Sequence, residues 1–264
     1  MRKQFLLNII IVLSIPFSVK SADGSSSTEL VPKESFVSGF TAYKGMYFLP
    51  VTYSTYTGNG RDHSEVVFQI SAKQKIVQFD FLSGYLAYSQ RSFWQAINEN
   101  SSAPVRENDY NPEIFVRTKN WNEWSIDSGL EHESNGKSGL ESRGWTRLYL
   151  YPKYETEYLD FGCKMWWRIP QRKKKRPDDP MGDDNPAILH YYGYGQISVT
   201  LKYSQLYLET FIRFNPVYKK GAFNAELSYP LLPHGMMLMV QYWEGYGESL
   251  IDYNVHQRRI GIGV

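Results

Sequence analysis

The chain has a single cysteine, Cys163, in 264 residues, so no intrachain disulfide framework can staple it. It also lacks an excess of either charge: 29 basic residues stand against 27 acidic ones, too balanced to draw a nucleic acid by net charge. Beyond residue 22 no apolar run approaches the roughly 18 residues that a membrane-spanning helix requires, which excludes a helical anchor from that part of the chain. Cys163 shares a strand face with Phe161 and Met165, so it reads as a small apolar-face residue rather than a nucleophile. The one strongly basic run, Arg172 to Arg176, is followed by Asp178, Asp179, Asp183 and Asp184 and reads as a solvated loop, with contact to anionic lipid headgroups as the sharper reading.

What is present begins at the N-terminus. Arg2 and Lys3 precede a mostly apolar stretch from Phe5 to Val19, with Val19 and Ser21 ahead of Ala22. That pattern predicts a secretory signal peptide over 1–21. Residues 22–45 are polar and serine-rich at first, and read as a periplasmic lead-in to a domain over 46–264. That domain is rich in aromatics, with 21 Tyr and 7 Trp, as expected where aromatic belts sit at both faces of a bilayer.

Alternation with a period of two recurs through the domain. Leu159, Phe161, Cys163, Met165, Trp167 and Ile169 occupy one face of a strand; Asp160, Gly162, Lys164, Trp166 and Arg168 occupy the other. Segments of this kind fall near 46–54, 64–73, 79–94, 112–120, 122–133, 142–153, 157–169, 187–203, 206–216, 220–230, 235–246 and 254–264. The reading is therefore all-β: a twelve-stranded antiparallel transmembrane β-barrel, closed so that no edge meets lipid. Long connections at 55–63, 95–111, 134–141, 170–186 and 247–253 go to the outside, and short turns at 121, 154–156, 204–205 and 231–234 to the periplasm. A soluble β-sandwich also alternates, and detergent dependence separates the two.

One strand carries chemistry. Trp124, Ile126, Ser128, Leu130, His132 and Ser134 share a face, so an imidazole and a hydroxyl stand two residues apart on its apolar side. A histidine that takes the proton of a serine is the working pair of a nucleophilic hydrolase, and the apolar setting suggests an apolar substrate.

The segments His132-Glu133-Ser134-Asn135-Gly136-Lys137-Ser138 and Ser142-Arg143-Gly144-Trp145-Thr146-Arg147-Leu148-Tyr149 resemble the active-site hairpin of the outer membrane phospholipase A family. Further matches are Tyr88 to Gln95, Pro104 to Tyr110, Asp183 to Pro186 and Gly245 to Asn254, in the family's order. The resemblance implies a calcium-dependent phospholipase of the outer membrane, with phospholipid as substrate, membrane lipid around it and a reversible homodimer as the active form. By position, Ser134 would be the nucleophile, His132 the general base, and the Gly136 backbone N–H an oxyanion donor. Thr146 stands where the family has an asparagine that holds the histidine's tautomer. The calcium ligands would be the Ser142 side chain, the Lys137 carbonyl and the Ser102 carbonyl of the partner subunit. A second calcium site would use Asp184; its usual aspartate partner falls on Gly139, with Glu141 close by. Tyr88 and Tyr110 are candidates for the acyl-chain cleft, and Gln90 for a polar pair across the dimer interface. The rival reading is a barrel without catalysis, a channel or structural protein whose polar inner face lines a pore.

Overall fold

A computed structural model describes residues 40–264 except 59–60, 104, 177–178, 180 and 233–234. The expected signal segment and most of the lead-in lie outside the described residues. The strands are β1 (Phe40–Ala42), β2 (Tyr47–Leu49), β3 (Val51–Ser54), β4 (Val66–Gln78), β5 (Leu82–Trp94), β6 (Glu107–Thr118) and β7 (Trp124–Ser134), then β8 (Gly144–Glu155), β9 (Leu159–Arg168), β10 (Gly195–Tyr203), β11 (Leu206–Asn215), β12 (Lys220–Pro230), β13 (Met237–Tyr246) and β14 (His256–Gly263). From β4 to β14 each strand pairs antiparallel with the next. The ends of this meander meet through the segment 47–54: β2 pairs with β4, and β3 pairs with β14. Backbone bonds of 2.7 and 3.0 Å between Phe48 and Val264 extend that seam.

Fourteen strands are found among the described residues where alternation predicts twelve, and two local causes account for the difference. Pro50 lacks an N–H and interrupts the first predicted strand, dividing it into β2 and β3. The end of the predicted lead-in adds β1 to the edge of β4, with Phe40 opposite Gln74. Three predicted boundaries also move, the first being the end of β4, which runs to Gln78 rather than 73. β6 begins at Glu107, not near 112, and the segment expected as strand 187–203 opens with a short helix, α1 (Ile188–Tyr192), that ends at Gly193 with φ 66°.

The two faces of the wall are inverted relative to a soluble protein. In β14 the odd-numbered Gln257 and Arg259 are buried while Ile260 and Ile262 are exposed. The same holds around the sheet: Leu86, Ile114, Leu130, Leu148, Ile212 and Leu227 point out, and Ser71, Asn111, Glu131 and Lys153 are buried. A sandwich buries its apolar faces between two sheets, whereas here one sheet returns on itself with apolar residues outward and charged ones buried, which removes the β-sandwich alternative.

The inner face is lined by ion pairs around a cavity of about 540 Å³. Glu131 receives Lys44 and Lys164 at 2.7 Å each and Arg147 at 2.8 Å. Asp127 receives Arg117 at 2.7 Å and Lys153 at 3.1 Å. A buried unpaired charge costs several kcal/mol, so this pairing is what lets charge line the interior.

Candidate functional site

The register of β5 to β8 sets the site. Gln90 lies opposite Tyr110, Tyr110 opposite Ser134, and Ser134 opposite Gly144. One step along, Tyr88 lies opposite Pro112 and His132 opposite Thr146. The pairs Tyr110–Ser134 and Glu113–Glu131 fix Pro112 against His132. The predicted dyad, its third member and the three candidate cleft and interface residues thus form two adjacent rows on the outward face.

His132 and Thr146 touch for a reason visible in the ladder. The Thr146 carbonyl accepts the Ile169 N–H at 2.8 Å, so it points to β9 and away from β7. His132 and Thr146 are therefore a non-hydrogen-bonded pair, the type whose side chains approach more closely. His132 Nδ1 and Thr146 Oγ1 are 2.9 Å apart. That contact leaves Nε2 for the serine. Ser134 Oγ makes no hydrogen bond among the described residues, and the missing side chain of Gly144 keeps its other flank open: a Cβ there would lie 3.3 Å from the serine Cβ.

The loop after β7 is held by one buried side chain. Asn135 Nδ2 donates to Glu107 Oε1 at 3.1 Å and to the Glu141 carbonyl at 2.9 Å. Its Oδ1 accepts the backbone N–H groups of Arg143 at 2.9 Å and Lys137 at 3.3 Å. Gly136 follows with φ +65°, a conformation that favours glycine, and a Cβ there would meet the Tyr110 ring at 2.9 Å. Asn185, fully buried, accepts the Gly144 N–H at 3.0 Å and fixes the start of β8. Sequence reasoning missed Asn135 and Asn185 as anchors; Asn-Gly at the end of an alternating run is the turn signal that points to the first.

The expected metal residues divide. The Ser142 hydroxyl donates to Asp184 Oδ2 at 2.7 Å, which leaves its lone pairs free for a hard cation. With the Lys137 carbonyl and the Ser102 carbonyl of a second copy, it would make an all-oxygen donor set of the kind calcium takes. The Ser102 carbonyl already accepts Trp94 Nε1 at 2.7 Å, and a second lone pair remains. The Asp184 carboxylate is engaged within the chain. Lys174 Nζ sits 2.5 Å from Asp184 Oδ1 and Ser142 takes the other oxygen. Gly139 offers no carboxylate, and Glu141 is paired with Lys137 at 3.2 Å. Asp183 is likewise engaged, by Arg168 at 2.5 Å.

Tyr88 donates to Gln90 Oε1 at 2.9 Å, and Gln90 Nε2 donates to Ser92 at 3.1 Å, so the amide on the lipid-facing wall is satisfied within the chain. The segments around Ser101 and Gly136–Ser138 border a common cavity of about 580 Å³ with Arg61 and Arg106.

The comparisons agree with this geometry. The family described as phospholipase A1 matches residues 28–264. Phospholipase A1 of Salmonella typhimurium and that of Escherichia coli are each 35% identical over 184 residues, which is 67% of this chain and 60% of theirs. The chain thus spans less than two thirds of the length of these curated relatives. Among solved structures, outer membrane phospholipase A from Escherichia coli superposes with a TM-score of 0.75 at 29% identity, covering 85% of this chain and 96% of that one. A Salmonella typhi outer membrane phospholipase dimer with bound calcium gives 0.74 at 30% identity, covering 85% and 91%. Family match and fold converge: the chain belongs to the phospholipase A1 family.

Proposed function

We propose that this protein is a calcium-dependent outer-membrane phospholipase that hydrolyses acyl esters of phospholipids and works as a homodimer. The observation that carries the reading is the 2.9 Å contact between His132 Nδ1 and Thr146 on the outward, lipid-facing wall, two residues from Ser134. With Nδ1 engaged, Nε2 takes the Ser134 proton as the hydroxyl oxygen attacks the ester carbonyl carbon. The same nitrogen returns the proton to the leaving alkoxide, and a water repeats the sequence to free the fatty acid. The Gly136 N–H, presented by the left-handed turn that Asn135 holds, is the donor for the developing oxyanion.

Ser142 and the Lys137 carbonyl of one protomer, with Ser102 of the partner subunit, would hold the calcium. When bound, that ion supplies positive charge close to the oxyanion. A ligand shared between copies makes the site incomplete in a monomer, so association becomes the switch for hydrolysis. The ion-paired interior weighs against the channel reading, because its charged groups are spent on one another.

The test is acyl release from micellar phospholipid with calcium or with a chelator, with Ser134→Ala as control. Calcium-dependent release that the alanine variant lacks is expected. A barrel that binds lipid yet releases nothing in calcium would overturn the enzyme reading.

A further inference from the structure

A gap in the backbone ladder lies directly against the general base. His132 directs its backbone N–H and carbonyl toward β6, since its pair with Thr146 on the other side is the non-hydrogen-bonded type. The residue opposite on β6 is Pro112, which has no N–H to give. The His132 carbonyl would then lack its ladder partner at the one position where the strand must not shift. Instead, Asn111 Nδ2 donates to it at 2.8 Å.

The orientation of that amide is not open. Asn111 Oδ1 accepts Lys44 Nζ at 2.7 Å, and an ammonium group can only donate, so the oxygen must face the lysine and the nitrogen the histidine carbonyl. Lys44 is itself fixed by Glu131 at 2.7 Å and Glu113 at 2.8 Å. Asn111 is buried on the inner face, opposite in direction to the imidazole.

Resting on the phospholipase reading, we propose that Asn111 is a positioning residue for catalysis: it replaces the hydrogen bond that Pro112 cannot make, and so fixes the backbone from which His132 reaches Thr146 and Ser134. It never touches substrate. Its effect passes through the His132 carbonyl, and Lys44 keeps its amide in the productive orientation.

The test exploits the cause of the gap. Asn111→Leu removes the side-chain donor, and Pro112→Ala returns a ladder N–H. Activity in calcium and micellar phospholipid should show kcat for Asn111→Leu down by about tenfold with KM nearly unchanged, and recovery to within about threefold in Asn111→Leu/Pro112→Ala. Heat-modifiable migration on gels reports folding. Asn111→Asp, which keeps the shape and the acceptor for Lys44 but not the donor, serves if the leucine variant does not fold. A folded double variant no more active than Asn111→Leu, or an Asn111→Leu enzyme as fast as the parent, would overturn the proposal.

Ring ¹⁵N NMR of His132 in detergent, assigned by its loss in His132→Gln, separates this proposal from the function it rests on. A parent protein that releases no fatty acid defeats the phospholipase reading, while the NMR still decides the role of Asn111. One narrow set of ring resonances in the parent, whatever its tautomer balance, several or broadened sets in Asn111→Leu and one narrow set again in the double variant supports it; an unchanged spectrum defeats it.

Discussion

At the scale of single residues, Thr146 is where this chain's chemistry is most its own. A side-chain amide oxygen can only accept, so it admits one histidine tautomer; a threonine hydroxyl both donates and accepts, so it tolerates both. The 2.9 Å contact with Nδ1 therefore orients the ring without fully selecting the proton's position. Only the tautomer with hydrogen on Nδ1 leaves Nε2 able to take the Ser134 proton. Thr146→Asn is expected to raise kcat several-fold, and Thr146→Val to lower it by about ten- to a hundredfold, in both cases with little change in KM. Steady-state rates on micellar substrate check both. A valine variant as fast as the parent would show that the hydroxyl orients nothing.

The residue types of this site were legible in the chain itself, because His132, Ser134 and Thr146 fall on outward faces that period-two alternation already defines. What alternation does not carry is register between strands. Asn111, Asn135 and Asn185 act through the backbone of residues 21, 8 and 41 positions away, and polar residues on an inward barrel face look alike until pairing assigns each a partner. The Lys174–Asp184 pair lies within one irregular connection, where no repeat assigns partners.

At the scale of elements, the strands were easier to foresee than what joins them. Lipid outside and polar groups inside still give a repeat of two, so most strands fall near the alternating segments; the exceptions, Pro50, β1, the end of β4, the start of β6 and α1, sit where a local backbone constraint or a distant partner overrides the pattern. The outer connections are tied together by charge. Arg61 joins Glu65 at 2.7 Å and Asp252 at 3.0 Å, and Arg106 joins the same two at 2.5 and 3.0 Å, linking the loops before β4, β6 and β14. Burial alone would raise the Glu65 carboxyl, but Arg106 and then Arg61 outweigh it and hold it below the ordinary glutamate value. A carboxyl depressed in the folded state stabilises above the unfolded value, and that contribution disappears as pH falls through the folded one. The loops are thus expected to open as pH falls below about 4.3, the free glutamate value, and on toward the lower folded value. Glu65→Gln should weaken the loops at pH 7 and flatten this acid dependence. Hydrogen exchange of the loop amides against pH measures both; an unchanged acid profile in the glutamine variant would place the response elsewhere.

At the scale of the whole molecule, the solvent that each face meets decides what that face tolerates. Inside, Glu131 balances Lys44, Lys164 and Arg147, and its removal leaves three cations without their shared anion in a closed space. Glu131→Leu is expected to cost about 3–5 kcal/mol, the usual penalty for breaking a buried ion pair. Outside, Leu227 on β12 is 42% exposed and lies in register with Leu208 and Val240, a row that only hydrocarbon can satisfy. Leu227→Arg should cost about 2–4 kcal/mol if the row sits at the bilayer midplane, whereas Leu227→Phe should be nearly neutral. Both costs are read from denaturant unfolding of the protein in lipid vesicles. In a water-soluble protein the signs invert: a surface leucine exchanged for arginine is tolerated, and an apolar residue in the interior is welcome. The two substitutions together therefore test the inverted architecture itself, and with it the placement of Ser134 and His132. If Leu227→Arg were harmless in vesicles, the wall that carries the dyad would face water, and an ester reaching it would have to leave the membrane first.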